Sequence, residues 1–273
     1  MKRVLTAIVA LPILLFTVWS HSPYFFVALA GIAVMLALSE FYGLASKGGC
    51  KPQAVFGYAA ALAVIASFMY ERPVLIVAVV AGLSILSLAS AVSNPKEMDK
   101  SLVSVSATVT GVIYVAVLAG YLIGVRMLPD AALIPRLASK LLTMFFAIVM
   151  MTDTGAYYTG QAFGRHKLAP GVSPGKTVEG AIGGLATAII IGPVCKLIFF
   201  PEVPIAHTLA LGAALGTIGQ IGDLAESLLK RGADVKDSGN LLPGHGGMLD
   251  RIDSLLFCAP LLFYYSRLLA AKF

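Results

Sequence analysis

The chain has 273 residues, of which 58% are hydrophobic and only 12% charged, with a mean hydropathy of +0.88 and a formal net charge of +6. Soluble proteins carry about 25% charged residues, so this composition excludes a soluble globular class and indicates an integral membrane protein. Cys50, Cys195 and Cys258 are isolated, with neither metal-ligand nor disulfide spacing. No basic stretch is interleaved with aromatic residues, and we therefore expect no nucleic-acid partner.

Apolar segments long enough to cross a bilayer recur along the whole chain, since a spanning helix needs about 20 apolar residues. They predict about nine transmembrane helices, near residues 4–20, 24–44, 54–70, 73–92, 103–125, 137–160, 177–200, 205–230 and 249–270. The first segment lacks a small-residue cleavage site, which predicts a retained helix rather than a signal peptide.

We therefore expect an all-α integral membrane protein, a polytopic helical bundle with a polar, cytoplasm-facing cavity in its C-terminal half. Residues 1–273 are predicted to form a single membrane domain, with mainly scaffold spans in 1–135 and catalytic spans and loops in 136–273. With the N-terminus inside, thirteen of the 20 Lys and Arg residues fall on the inner face. This excess predicts that the two polar stretches of the C-terminal half, 153–180 and 223–253, face the cytoplasm.

The first polar stretch covers residues 153–180. Asp153 lies inside an apolar span, where an acid requires a functional or structural reason. The later segment GVSPGKTVEG resembles the end of a P-loop, but Gly171 is one residue too close and no strand is expected before it. By sequence alone, Ser173 or Thr177 is expected to cap the following helix.

Four acids mark the ends of the last two spans. Asp223 and Glu226 are three residues apart near the end of the eighth span, and Asp250 and Asp253 open the ninth. Each pair shares a helix face, so two packed helices would offer four carboxylates to one cavity. Mg²⁺ typically takes one or two carboxylates together with phosphate oxygens and water.

Two structural roles for these acids stay open beside metal binding. The acids could pair internally with Lys230 and Arg251, as charges within membranes often do. Asp253 could also stabilise the N-terminus of its own helix, because a negative charge interacts favourably with the positive end of the helix dipole.

Cations and glycines lie between the two acidic pairs. Lys230, Arg231 and Lys236 could neutralise phosphates, although a cluster that obeys the positive-inside rule would look similar. Gly246 and Gly247 precede a helix, where backbone N–H groups can approach a phosphate, and an ordinary tight turn is the alternative.

The same run matches a known family motif. It contains S-x-x-K-R, four residues, K-D, and then H-G-G-x-x-D-R-x-D, and so resembles the phosphatidate cytidylyltransferases (CDP-diacylglycerol synthases). The matching positions are Ser227, Lys230, Arg231, Lys236, Asp237, His245, Gly246, Gly247, Asp250, Arg251 and Asp253. The stretch from Asp153 through GRHKLAPGVSPGKTVEG is similar to the family as well.

The resemblance implies the reaction CTP + phosphatidate → CDP-diacylglycerol + pyrophosphate, in phospholipid biosynthesis. It implies a multi-pass protein of the bacterial inner (plasma) membrane, with the active site facing the cytoplasm and CTP, bilayer phosphatidate and membrane lipid as partners. Mg²⁺ is the implied cofactor; a second cation and a homodimer stay open.

The resemblance also implies roles for individual residues. It implies that Asp223 and Asp250 are metal ligands; Glu226 and Asp253, which share their helix faces, are further candidates from the spacing. The catalytic candidates are Asp223, Asp250, Lys230, Arg231, Lys236 and His245. The substrate-binding candidates are Lys167, Ser173, Lys176, Glu179, Ser227, Asp237, Gly246, Gly247 and Arg251. The family often has Lys where this chain has Gly175.

Two alternatives remain at this point. The acids could line the pathway of a transporter for a phosphorylated or ionic solute, although the charges are concentrated in the C-terminal half. A cytidylyltransferase for another lipid phosphate, such as an isoprenoid one, would carry the same residues.

Overall fold

The structure, a computed structural model, describes residues 2–93, 98–129, 134–239 and 246–270. The described residues are helical except for short connections and one small hairpin. The helices are α1 (Lys2–Trp19), α2 (Tyr24–Lys47), α3 (Ala54–Met69), α4 (Leu75–Val92), α5 (Met98–Gly111), α6 (Leu118–Arg126), α7 (Leu137–Phe163), α8 (Val178–Ile198), α9 (Ile205–Gly232) and α10 (Leu249–Ala270).

These bounds follow the apolar segments of the sequence closely. Seven described helical segments are long and apolar enough to cross a membrane, and Ile8–Trp19 and Ala54–Met69 are shorter apolar helices. The predicted class, an all-α polytopic membrane protein, is confirmed. Residues 94–97 and 130–133, between predicted spans, lie outside the described residues.

The fifth predicted span is helical, but its middle is a π-helix and not an α-helix. A π-helical segment, Val112–Val117, joins α5 to α6. Just before it, the Tyr42 hydroxyl of α2 donates to the Thr108 carbonyl at 3.0 Å, and a Cβ at Gly111 would lie 2.6 Å from the Tyr42 ring. The close approach of this ring therefore requires glycine at 111.

Two compact units divide the chain. The first consists of Met1–Met127 and Leu229–Ile252, and the second of Leu128–Leu228 and Asp253–Phe273. Asp223 and Glu226 both belong to the second unit, whereas the pair at the start of α10 is divided, with Asp250 in the first unit and Asp253 in the second. The predicted division of roles between 1–135 and 136–273 stays a prediction.

A β-hairpin in the second unit is absent from the sequence prediction. β1 (Lys167–Ala169) pairs antiparallel with β2 (Ser173–Thr177), with Lys167 opposite Thr177. Pro170 and Gly171 lie at the turn, where Val172 N–H donates to the Ala169 carbonyl at 3.1 Å. Proline and glycine favour such a turn because of their backbone dihedrals.

Helix α8 begins directly after the hairpin and packs closely on α7. Thr177 is its N-cap, with the hydroxyl accepting from Gly180 N–H at 3.1 Å, which confirms the capping prediction. A Cβ at Gly180 would lie 2.8 Å from the Ala156 carbonyl oxygen. The absence of a side chain at 180 therefore lets the start of α8, and the hairpin joined to it, lie against α7.

An ion pair ties the start of α7 to the α8–α9 connection. Lys140 Nζ lies 2.5 Å from Glu202 Oε1. Burial by itself would raise the pKa of the Glu202 carboxyl, but the hydrogen bond and charge of Lys140, with Glu202's own N–H, outweigh it and hold that pKa below its usual value of 4.5.

A carboxyl group whose pKa is lowered in the folded protein contributes stability above its unfolded pKa, and the contribution is lost as the pH falls through the folded value. We therefore expect acidification below 4.5 to lower the unfolding temperature of the wild type more than that of Glu202→Gln. Thermal unfolding in detergent at a series of pH values measures this, and equal acid sensitivity in both proteins would contradict it.

Candidate active site

A cavity of about 470 Å³ lies in the second unit, between the hairpin and the helices α7, α8 and α9. Charged and polar side chains from the helices and the hairpin line it. They are Asp153, Tyr157 and Gln161 of α7, Ser173, Lys176 and Thr177 of the hairpin, and Gln220 and Asp223 of α9. The cavity therefore gathers groups that the sequence spreads over 71 residues, from 153 to 223.

The central electrostatic feature of this cavity is an ion pair. Lys176 Nζ lies 2.7 Å from Asp223 Oδ2, and the two side chains are 27% and 33% exposed. β2 presents Lys176 and α9 presents Asp223, so two sequence-predicted candidates meet at the cavity wall. Both side chains are partly exposed, but the Lys176 Nζ atom itself is buried against Asp223, so a ligand reaches it only when the ion pair opens.

Ser173 lines the same cavity, whereas Glu179 serves the neighbouring loop. The Glu179 carboxylate accepts the N–H groups of Arg165 at 3.0 Å and His166 at 3.2 Å. Its other oxygen lies 2.7 Å from His166 Nδ1. Glu179 thus fixes the connection that leads into β1, and its predicted substrate contact stays a prediction.

In the first unit, Asp250 lies at the centre of a hydrogen-bonded cluster. Its carboxylate accepts from Lys230 Nζ at 2.7 Å, Gly247 N–H at 2.7 Å and Ser238 N–H at 3.1 Å. The contact with Gly247, three residues earlier, has the geometry of the second half of a capping box. Internal pairing with Lys230, one of the two structural roles left open by the sequence, is therefore present for this acid.

Glu40 of α2 belongs to the same cluster and is not among the sequence-predicted candidates. Its carboxylate accepts from Met248 N–H at 2.9 Å, Leu249 N–H at 2.8 Å and the Ser238 hydroxyl at 2.8 Å. The signal that could have found it is an acid within an apolar span, the same signal that Asp153 gives.

The two motif glycines have a steric explanation in this cluster. Gly246 has a positive φ of 79°, and a Cβ there would lie 2.6 Å from Asp250 Oδ2. A Cβ at Gly247 would overlap Glu40 Oε2. Both positions therefore need glycine because carboxylates of the chain itself approach the backbone.

The remaining candidates fall into three groups. Lys167, Arg231, Lys236, Asp237 and Arg251 are exposed. Glu226, Ser227 and Asp253 are buried, with Glu226 fully inaccessible. His245 lies outside the described residues. The roles assigned to all of these residues stay predictions.

Three further cavity residues carried no sequence motif. Tyr157 and Gln161 are exposed on α7, four residues apart and therefore on one helix face. The Gln220 amide donates to the Ala181 carbonyl at 3.2 Å and to the Gly216 carbonyl at 2.9 Å. Only spacing relative to Asp153 and Asp223 could have drawn attention to them.

The donor set of the cavity fits Mg²⁺. Asp153 and Asp223 both line it, and hard oxygen ligands from one or two carboxylates, with substrate phosphates and water, are what this ion takes. Within the described ranges, no three His, Cys, Asp or Glu side chains group to hold a metal by themselves. The cavity therefore suits an ion that arrives with a phosphate rather than one in an all-protein cage.

The carboxylates of Asp223 and Asp250, the two metal ligands implied by the resemblance, differ in how many donors of the chain already contact them. Among the described residues, Lys176 is the one polar partner of Asp223, whereas three donors engage Asp250 and its side chain is 7% exposed. A carboxylate has about four acceptor positions. Asp223 thus has more room for a cation than Asp250.

Comparison with known proteins shows which family the chain belongs to. Residues 1–269 match the sequence model of the Cytidylyltransferase family. The phosphatidate cytidylyltransferase of Bacillus subtilis is 48% identical over 123 residues, which are 44% of this chain and 46% of that protein. The protein of the same name from Staphylococcus aureus (strain COL) is 51% identical over 119 residues, 43% of this chain and 45% of that protein. These alignments thus span about half the length of the curated relatives.

Proposed function

Because the chain belongs to the cytidylyltransferase family, we propose that it transfers CMP from CTP to phosphatidate, forming CDP-diacylglycerol and pyrophosphate. The observation that carries the proposal is the cavity in which Lys176 and Asp223 meet. It offers a cation to phosphate and carboxylates to a metal ion in one accessible space. The names of the curated relatives support the choice of lipid substrate.

The reaction needs positioning more than it needs a strong base. A phosphate monoester has a second pKa near 6 and is therefore largely dianionic at neutral pH. One of its oxygens forms a bond to the α-phosphorus of CTP, while the bond from that phosphorus to the oxygen of the β-phosphate breaks. The leaving pyrophosphate takes the electron pair, and no proton has to be removed from the nucleophile.

The chain's own groups supply charge and orientation. Lys176 is held by β2, and rotation of its long side chain can carry Nζ, which is buried beside Asp223, to a phosphate oxygen that enters the cavity. The Ser173 hydroxyl on the same strand can donate to a neighbouring oxygen. Such fixed cations and donors lower the barrier of phosphoryl-type transfers by stabilising the charge of the transition state.

Asp223 and Asp153 are the residues of this cavity that would hold Mg²⁺. When bound, the ion would neutralise negative charge on the phosphate oxygens. Asp250 is retained as the second acid implied by the family resemblance, with Lys230, Arg231, Lys236 and His245 as further candidates.

A membrane-embedded enzyme suits the substrate. The diacyl chains stay in the bilayer while the phosphate meets CTP at the interface. The excess of Lys and Arg in the loops of one side supports an orientation in which the cavity faces the cytoplasm, where CTP is available. The membrane we propose is the bacterial inner membrane.

The direct test uses the purified full chain with CTP labelled at the α-phosphate and phosphatidate in mixed micelles. We expect label in the lipid and pyrophosphate released in equal amounts, with both abolished by chelation of divalent cations. A parallel arm with an isoprenoid phosphate distinguishes the lipid substrates. If no lipid phosphate yields pyrophosphate while the protein moves a solute across liposomes, the proposal is wrong and the protein is a transporter.

The orientation is tested with single cysteines at two exposed positions. Gly232 ends α9 and has open space where a Cβ would be, and Arg72 lies in the connection between α3 and α4. Cys50 is partly accessible, so Cys50→Ser provides the background. We expect an impermeant thiol reagent to label Gly232→Cys only from the cytoplasmic side and Arg72→Cys only from the opposite side. Labelling of Gly232→Cys from outside intact cells would show the opposite orientation.

A further inference from the structure

Two carboxylates of the first unit hold the same two pieces of backbone. The Ser238 hydroxyl donates to Glu40 Oε2 at 2.8 Å, and the N–H of the same residue donates to Asp250 at 3.1 Å. At the start of α10, Gly247 N–H donates to Asp250 and Leu249 N–H donates to Glu40. Glu40 and Asp250 therefore clamp the 238 and 247–249 segments together.

Glu40 supplies what the start of α10 lacks. The first N–H groups of a helix have no partner within the helix, and an orphaned buried N–H is costly. Glu40 accepts two of them, from Met248 and Leu249, although it lies 208 and 209 residues away in the sequence. Glu40 lies seven residues before Lys47, the last residue of α2. The backbone that precedes α10 therefore contacts α2 about two turns before the end of that helix.

The close fit around Glu40 shows that the contact is specific. A Cβ at Gly239 would lie 2.6 Å from Glu40 Oε1, and one at Gly247 would overlap Oε2. Glycine at both positions lets the backbone approach the carboxylate from two sides. Both carboxylate oxygens accept hydrogen bonds, so the site requires an acceptor at each.

We propose that Glu40 is a positioning residue of the CMP transfer reaction: it fixes the start of α10 and thereby the orientation of the Asp250 carboxylate. The inference rests on the proposed function, in which Asp250 is one of the two implied metal ligands. Residues that orient a ligand through hydrogen bonds change metal affinity or activity by about 10–100-fold when they are replaced. Glu40 acts through Asp250 and the 247–249 turn, and not through contact with substrate.

The test variant is Glu40→Gln, which keeps the shape of the side chain. Its amide NH₂ must replace one acceptor oxygen, so whichever way the amide is turned, an N–H group faces a donor of the cluster. Glu71→Gln is the matched control, because Glu71 is an exposed glutamate of the α3–α4 connection, outside the cluster. Ser238→Ala removes a single hydrogen bond to Glu40 and serves if Glu40→Gln does not fold.

Two measurements are made on the 273-residue chain in lipid. Hydrogen exchange reports directly on the amides of residues 247–249, and steady-state kinetics give kcat and the KM for CTP. For Glu40→Gln we expect faster exchange at these amides and a kcat about 10–100-fold lower, with a smaller change in the KM for CTP. Ser238→Ala is expected to change both in the same direction by less, and Glu71→Gln to change neither.

The outcomes separate this inference from the proposed function. An inactive wild type defeats the proposed function, and with it the role of Glu40 in that reaction. An active wild type with unchanged kcat in a folded Glu40→Gln defeats the positioning role alone, even if exchange increases. If Glu40→Gln does not fold, unchanged kcat in Ser238→Ala is the result that overturns it.

Discussion

Replacement of Asp223 by Asn is expected to lower kcat for CMP transfer by at least about a hundredfold, while the protein still inserts and folds. The substitution keeps the size of the side chain but removes its charge. It thereby removes the carboxylate that fits a divalent cation best and the ion-pair partner of Lys176. The measurement is kcat at a series of Mg²⁺ concentrations, with the unfolding temperature recorded in parallel.

Asp234→Asn is the control for this variant. Asp234 is exposed and has a φ of 58°, a conformation that Asn tolerates well. We expect its kcat to equal that of the wild type. Near-normal turnover of Asp223→Asn at saturating Mg²⁺ would remove Asp223 from the metal site.

Replacement of Lys176 by Met should also lower kcat by about a hundredfold, but its effect on metal binding should be opposite to that of Asp223→Asn. Met retains much of the apolar stem and removes the ammonium group. The phosphates then lose a cation in the transition state, whereas Asp223 loses the cation that lies 2.7 Å away and competes with a metal ion. We therefore expect weaker catalysis together with equal or tighter metal binding.

Mn²⁺ binding followed by electron paramagnetic resonance, without nucleotide, tests the second half of this expectation. Lys47→Met is the control, since Lys47 is an exposed lysine at the end of α2 and should alter neither property. Weaker Mn²⁺ binding in Lys176→Met, with kcat unchanged, would show that the ion pair has a purely structural role.

The sequence alone determined the helical layout of this protein. Apolar length is a local property, and a backbone in the bilayer must satisfy its hydrogen bonds within the segment, so each long apolar run had to become a helix. The N-cap of α8 was also predictable, because Thr177 bonds to Gly180 only three residues away. The motif also identified the family, since a motif depends on residue identity and spacing.

The β-hairpin was not predictable in the same way. Its strands contain only Lys167–Ala169 and Ser173–Thr177, too few residues for an alternating pattern to appear. In the sequence alone, Lys176 is one of several loop cations. The pairing of the strands is what gives it a fixed place in the cavity wall.

Only the tertiary structure decided which charges meet. Lys176 pairs with Asp223, 47 residues later, and Glu40 with backbone more than 200 residues away. Any acid of this chain could satisfy a lysine or a helix N-terminus as far as its sequence is concerned, because electrostatic attraction does not depend on sequence separation. The choice follows from close packing, in which Gly239 and Gly247 leave room for the Glu40 carboxylate beside the start of α10.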